Sequence, residues 1–379
     1  MPGLDIAELE PRMQEFQKRI DRLKSNYPDI VWYPYGTLAS ISVFDRLLTG
    51  SHRALLDLAG GDPILDLGCS DGLMAFFFES LGCEVVALDN PHVNHNQSRG
   101  FHALHSALNS KVKFEAVDLD SQFHLPREIF GLTLFLGVLY HLKNPYYALE
   151  ALAPRTRYCL MSTRIAQRTP KGNPMKAESL AYLLGDAETN NDSTNYWIFS
   201  ETALRTLLER TGWKVRDFTT IGVTSNSEPA RLDRDERAFY LLESKRCPRY
   251  SVQLMEGWHE LEQVAYRWTE RKFSIEIRRP HLISFSTMRF AFRVEGLAPV
   301  TLQARVNGVD QPPAEFPENG EHSYEISISA QTLKAPVVRV DFELDKSLAA
   351  ESADGRELGL LVPFWNESGY DPLLPFKLN

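Results

Sequence analysis

The chain has 379 residues, 43% hydrophobic and 24% charged, with a net charge of −9. That length predicts two domains, and ordinary apolar content gives each a core to bury. The negative balance argues against a general nucleic-acid coat, though not against a local basic groove. The four cysteines, Cys69, Cys83, Cys159 and Cys247, are scattered without metal-ligand spacing. They read as small buried hydrophobes in a reducing compartment, and no metal is expected. With no apolar leader and no run of about 20 apolar residues, the protein is expected to be soluble and cytoplasmic.

Ile6, Leu9, Met13, Phe16, Ile20 and Leu23 recur at three- and four-residue steps, which predicts an amphipathic helix over 4–24 packed on the domain. "WYPYGTLASISVFDRLL" follows, aromatic first and helical later. From residue 62 strands and helices alternate. "PILDLG" ends in a turn, "LMAFFFESLG" is helical to Gly82, and "CEVVALD" is a strand. A helix around 97–109, the strand "VKFEAVD" and the buried run "LTLFLGVLY" come next. "PYYALEAL" is a helix and "RYCLMST" a strand. This alternation predicts a parallel sheet covered by helices on both faces. After the helix "ETALRTLLERTGW", the strands "KVRDFTTIGV" and "RAFYLLES" are close enough in sequence to be antiparallel neighbours at one edge. From about residue 250, alternating strands such as "FSIEIRR" and "VVRVDFEL" between Gly, Pro and Asn turns predict a β-sandwich. The expected organisation is a helical cover over 1–60, an α/β domain over 61–249 and a β-sandwich over 250–379.

"ILDLGCSDG", residues 64–72, decides the chemistry. Gly68-x-Ser70-x-Gly72 has the spacing of a hydrolase nucleophile elbow. An elbow follows several strands and an oxyanion loop, however, and the residues before 62 leave no room for them. A turn after the first strand is instead where nucleotide sites form. A nicotinamide fingerprint, G-x-G-x-x-G, fits poorly because this turn is one residue shorter.

The shorter turn resembles the first motif of class I S-adenosylmethionine-dependent methyltransferases. The resemblance implies a Rossmann-like seven-stranded sheet and S-adenosylmethionine as cofactor. In that frame Gly68 lets the backbone approach the cofactor's methionine part, and Gly72 starts the next helix close to the strand. Cys69 and Ser70 wall the cofactor, and Asp66 holds the loop or meets the ammonium through water. Asp89, followed by Asn90, ends the second strand, where a carboxylate accepts ribose hydroxyls. Asp118 and Leu119 end the third strand beside the adenine. "LGVLYHL", with Gly137, ends the fourth beneath the transferred methyl group.

"GVLYHLKNPYYALEAL" and "NYWIFSETALRTLLERTGW" resemble the tRNA wobble-uridine (carboxy)methyltransferase branch over roughly 25–245. The resemblance puts Tyr140 near the methyl end, and Tyr33 and Tyr35 at the closure of the cofactor pocket. Arg237 corresponds to an arginine of that branch's last strands. The chain departs from the branch in having no lysine between Lys24 and Lys111 to pair with a carboxymethyl group. An unpaired carboxylate in a dry site costs several kcal/mol, so ordinary S-adenosylmethionine is the expected cofactor. The region 250–366 resembles β-rich modules of surface-polysaccharide glycosyltransferases and methyltransferases. The matching residues are Arg267-Trp268-Thr269 and Asp354, Arg356, Leu358 and Gly359. This implies a sugar or lipid-linked glycan acceptor, the sandwich either facing carbohydrate or serving only packing or dimerisation.

Transfer to a hydroxyl needs a base. His141 is the candidate, with Tyr140 alongside; capping or lining the pocket is the structural alternative, and His92 and His95 are second choices. Arg155, Arg157, Arg164, Arg168, Lys171 and Lys176 form an acid-free run after the fifth strand. It is either a solvated loop or a site for phosphate at the pocket mouth. The insertion through "DAETNNDSTNYW" is long enough for a lid, with Tyr196 and Trp197 as an aromatic wall or as its packed base. The leading expectation is O-methylation of a sugar or glycan precursor. The alternatives are a tRNA wobble-uridine transferase and a non-enzymatic glycan-binding scaffold with a vestigial cofactor fold.

Overall fold

The computed structural model describes residues 3–125, 129–189, 192–247, 251–260, 262, 266–278, 286–335, 337–348, 355–363 and 376–378. Asp354 and positions 190–191 of the insertion, all named above, lie outside the described residues. The chain divides into two compact units, Met1–Cys247 and Pro248–Asn379.

In the first unit, α1 (Leu9–Lys24) turns Leu9, Met13, Phe16 and Ile20 inward, as its apolar spacing requires. α2 (Ser40–Leu47) and α3 (Leu55–Ala59) follow. Strands and helices then alternate: β1 (Ile64–Leu67), α4 (Leu73–Ser80), β2 (Val85–Asp89), α5 (Arg99–Leu108), β3 (Lys113–Ala116), β4 (Phe130–Leu136), α6 (Pro145–Leu152) and β5 (Thr156–Ile165). The insertion supplies β6 (Ala181–Leu183) and β7 (Trp197–Phe199), and α7 (Glu201–Arg210), β8 (Trp213–Gly222) and β9 (Glu236–Ser244) complete the unit.

Strands β3-β2-β1-β4-β5 run parallel in that order, β9 lies antiparallel beside β5, and β8 beside β9. These are the seven strands expected, with the last two antiparallel. The sheet has nine, because β7 adds to the end of β5 at Ile165↔Phe199 and β6 pairs with β7. One sheet face packs Ile64, Leu132, Leu134, Leu160, Phe239 and Leu241 with the apolar stripes of α1, α2 and α4. The other packs Leu65, Leu67, Val86, Met161 and Tyr240 with α6 and α7. Burial on both faces explains why β1, β2 and β4 read as continuous apolar runs.

The basic run is corrected here. Arg157 and Arg164 lie on β5, inside the sheet, and both are buried. The strand extends to Ile165, and Asp62 and Asp235 supply the carboxylates that allow a guanidinium to be buried there.

The second unit holds β10 (Ser251–Leu254), β11 (Tyr266–Trp268), β12 (Lys272–Arg278), β13 (Thr287–Val294), β14 (Val300–Val306), β15 (Val309–Asp310), β16 (Ala314–Phe316), β17 (Gly320–Ser327), β18 (Val337–Leu344), β19 (Leu361–Pro363) and β20 (Phe376–Leu378). They form a six-stranded and a five-stranded sheet, and every strand pair is antiparallel. Their inner faces meet through one aromatic core, with Phe342 4.8 Å from Phe273 in its own sheet and 5.1 Å from Phe290 in the other. The two short motifs of this unit come together. Trp268 is paired with Leu361, Gly359 N donates to Thr269 O, and Thr269 Oγ1 accepts from Leu360 N.

Candidate active site

The turn after β1 is built by left-handed backbone at Gly68, Ser70 and Gly72, with φ of +73°, +53° and +80°. A Cβ on Gly68 would stand 2.4 Å from Val138 Cγ2, and one on Gly72 2.5 Å from the Phe101 ring. Both positions are therefore closed to other residues by conformation and by space. Asp66 is buried and accepts the Ala75 N–H at 3.1 Å, so it caps the third position of α4 and holds the turn against the helix. Burial pushes its carboxyl up to about 7, against the hydrogen bond from Ala75. Burial also raises the Cys69 thiol, which keeps it protonated and unreactive.

Asp89 ends β2 facing that turn. Its Oδ2 accepts from Ser70 N at 2.6 Å and Asn94 Nδ2 at 3.1 Å, and its Oδ1 from Asn90 N at 2.7 Å. Burial raises its pKa and these donors oppose the rise. Asn90 Oδ1 turns to His92 N, and the His92 and His95 side chains are exposed. After β3, Asp118 is exposed and accepts Asp120 N, while Leu119 is buried in the core beside Leu88 and Leu139.

Tyr33 is half-buried and reaches between two strand ends. Its ring lies 6.0 Å from His95, edge-on, and burial pushes its hydroxyl up to about 12, with Tyr140, Arg237 and Asp192 as charged or polar neighbours. Tyr35 packs on Tyr33 at 5.4 Å but is 59% exposed. Of the two tyrosines expected at the closure, Tyr33 lies toward the strand ends and Tyr35 outside it.

Beyond β4, Gly137 leads into a single helical turn that carries Tyr140 and His141. A Cβ on Gly137 would meet the Tyr140 hydroxyl at 3.7 Å and Arg237 Nη1 at 3.8 Å, so both polar groups converge on the end of β4. Arg164 and Arg237 are paired across β5 and β9, share the carboxylate of Asp235, and lie on one face of the sheet. His141 Nδ1 lies 3.0 Å from Thr194 Oγ1 and 3.1 Å from Thr194 O. The Thr194 hydroxyl donates to Asp192 Oδ1 at 2.6 Å, so both Thr194 oxygens accept and Nδ1 carries the hydrogen. Burial lowers the His141 pKa, against Asp192 and Thr194, and Arg237 and Arg164 lower it further. The ring is neutral at neutral pH, with Nε2 as its basic atom.

Tyr196 and Trp197 pack the base of the insertion. Tyr196 N donates to Tyr140 O at 2.8 Å and Trp197 Nε1 to Lys143 O at 3.2 Å. Arg168 is exposed and bonds Gly172 O within its own turn. The sequence reading missed Asp192 and Thr194 because nothing in a polar insertion marks a contact with a histidine 53 residues before Thr194. It also missed Asp71, which stood in the motif itself. Among the described residues no group of three His, Cys, Asp or Glu side chains is placed to hold a metal, and no helix is long and apolar enough to cross a membrane.

A parallel sheet of this order, with a glycine turn after β1 and an acid ending β2, defines a Rossmann-like fold. Residues 42–217 match a family described as methyltransferase domain. Over that segment, a little under half of the chain, the protein is similar to methyltransferases, and S-adenosylmethionine is the cofactor which that match implies. Among solved structures it is similar to the N-terminal domain of EvdMO1 with S-adenosylhomocysteine bound, at 16% identity over 61% of this chain and 97% of that one, with a TM-score of 0.38. It is also similar to an S-adenosylmethionine-dependent methyltransferase from Mesorhizobium loti, at 16% identity over 50% and 94%, TM-score 0.35. The [4+2]-cyclase SpnF is similar at 14% identity over 57% and 86%, TM-score 0.35. Likeness at that level says nothing of this chain's acceptor. No curated protein matches the chain.

Proposed function

We propose that the domain methylates a hydroxyl oxygen of a sugar or glycan precursor, with His141 as general base. The observation that carries this reading is the geometry at His141: Nδ1 is committed to Thr194, which leaves Nε2 to accept a proton, and burial favours the neutral ring. The glycine turn and Asp89 fit the cofactor. Gly68 permits close approach, and Asp89 Oδ1 has a single donor among the described residues and so a lone pair for a ribose hydroxyl. Asn90, beside it, and Ser70, in the turn, complete that end, with Asp118 and Leu119 at the adenine side. The bound cofactor supplies a methyl group activated on a sulfonium sulfur.

The protein's part is alignment and proton removal. Tyr33 and Tyr140 orient the acceptor beside the methyl group, which makes the displacement effectively unimolecular. His141 Nε2 would take the hydroxyl proton as the methyl carbon bonds to the acceptor oxygen and its bond to sulfur breaks, leaving a neutral thioether, and the Asp192–Thr194 pair fixes the ring's tautomer. Tyr140, Arg237 and Tyr33 offer a polar wall suited to hydroxyls. The sugar is favoured over tRNA because Arg157 and Arg164 are turned into the sheet rather than onto a phosphate groove. The net charge of −9 points the same way. The resemblance of the second unit to polysaccharide-associated modules adds to the sugar reading.

The test is transfer of labelled methyl to nucleotide-sugars and, in parallel, to bulk tRNA. Label in the sugar pool that falls about 10²–10⁴-fold in His141→Ala, with S-adenosylhomocysteine affinity unchanged, is the expected result. Label in tRNA alone contradicts it.

A further inference from the structure

Asp71 lies in the glycine turn and is buried, 2% exposed, and its hydrogen bonds go to groups other than Asp89. Three donors from two segments of the chain meet on it. Tyr33 N donates to Oδ2 at 2.9 Å, and Lys24 Nζ stands 3.7 Å from the same oxygen. Asn96 Nδ2 donates to Oδ1 at 2.8 Å and also to Val31 O at 3.1 Å. The helix α5 begins so close that a Cβ on Gly100 would stand 2.1 Å from Oδ1.

The contacts continue on both sides. Lys24 sits over the Trp32 ring at 4.8 Å, and Trp32 meets Tyr27 edge-on at 6.4 Å, so residues 24–33 form one packed strap. On the other side Asn94, two residues before Asn96, accepts Asn96 N and donates to Asp89. One buried carboxylate thus joins the strap bearing Tyr33 to the loop that holds Asp89.

We propose that Asp71 is the latch of the cofactor cleft: a positioning residue that holds the strap 24–35 in place and, through Asn96, steadies the Asp89 loop. The proposal rests on the reading that the glycine turn and Asp89 hold the cofactor. Asp71 itself touches neither cofactor nor acceptor in this account. Its carboxylate is suited to the task because four lone pairs serve donors from two segments at once, and a buried acid that loses them is costly. Asparagine at 71 would keep the acceptor for Tyr33 N but set its own NH₂ against that of Asn96.

The test uses the full chain with S-adenosylhomocysteine as probe, by calorimetry, and hydrogen exchange over residues 31–36. Asp71→Ala is expected to weaken binding by about tenfold or more and to speed exchange of the Tyr33 amide, with β1 and β4 amides unchanged. Asp71→Asn should fall between it and the wild type. Lys24→Met, at the strap's edge, should weaken binding a few-fold and speed the same exchange, and decides the matter if the Asp71 variants do not fold. Wild-type affinity in Asp71→Ala and Lys24→Met, or unchanged exchange at 31–36, overturns the latch. A folded wild type that binds no S-adenosylhomocysteine overturns the cofactor reading beneath it.

Discussion

β1 buries all four of its residues and β2 buries four of five, whereas β13 and β18 alternate between core and surface along their length. The charged residues follow the same division. The parallel sheet of the first unit buries Asp66, Arg157, Arg164 and Glu236, and Asp71 in the turn after β1. In the second unit the buried polar residues among those described are Thr269 and Ser274, and the charges lie outside, paired across strands as Lys272–Glu343 and Arg305–Asp310 or along one strand as Arg339–Asp341. Desolvating a charge is expensive, so a fold accumulates buried charge only where other groups hold it. In the first unit those groups gather around the glycine turn and the ends of β4, β5 and β9. In the second, the alternating pattern needs none of this.

The comparison is broken most severely by removing one side of a buried pair. Asp235→Ala leaves the buried Arg164 guanidinium without its carboxylate and should cost about 3–5 kcal/mol in chemical denaturation. A loss near zero would make the pair no different from a surface one. Asp66→Asn tests the same idea through pH. The folded carboxyl is raised to about 7, above the usual carboxylate range, so the stability tied to its protonated form is full below about pH 4 and lost as pH rises through 7. The variant keeps an acceptor for Ala75 N and should melt higher than wild type at pH 8, with the difference vanishing at pH 4. Equal melting differences at both values would remove burial as the cause. The smallest effect belongs to the second unit. Lys272→Ala breaks an exposed 2.9 Å pair with Glu343 and should cost about 0.2–1 kcal/mol, less at high salt.

What the sequence disclosed follows the same physics. Apolar runs and a glycine turn are dictated by burial and backbone geometry, so β1, β2, β4, α4 and the turn were legible to within a few residues, the run read for β4 continuing past Leu136 into the helical turn of Tyr140. The α1 stripe and the alternating strands of the second unit were equally plain. The three-residue strands β6 and β7 were not, because so short a segment has no period to read. Arg164 read as part of a basic run because its partner, Asp235, is 71 residues away and meets it only once β9 lies beside β5. Asp71 and the Asp192–Thr194 pair were hidden for the same reason. Their roles are set by side chains that tertiary packing brings to them.

The central claim is that Asp89 and the glycine turn hold S-adenosylmethionine. It is tested most directly by calorimetric titration of S-adenosylhomocysteine into the wild type and Asp89→Ala. The account predicts micromolar binding that the variant weakens by about tenfold or more, since a charge-assisted hydrogen bond is lost together with the Ser70 contact. Equal affinity in the two folded proteins would contradict it.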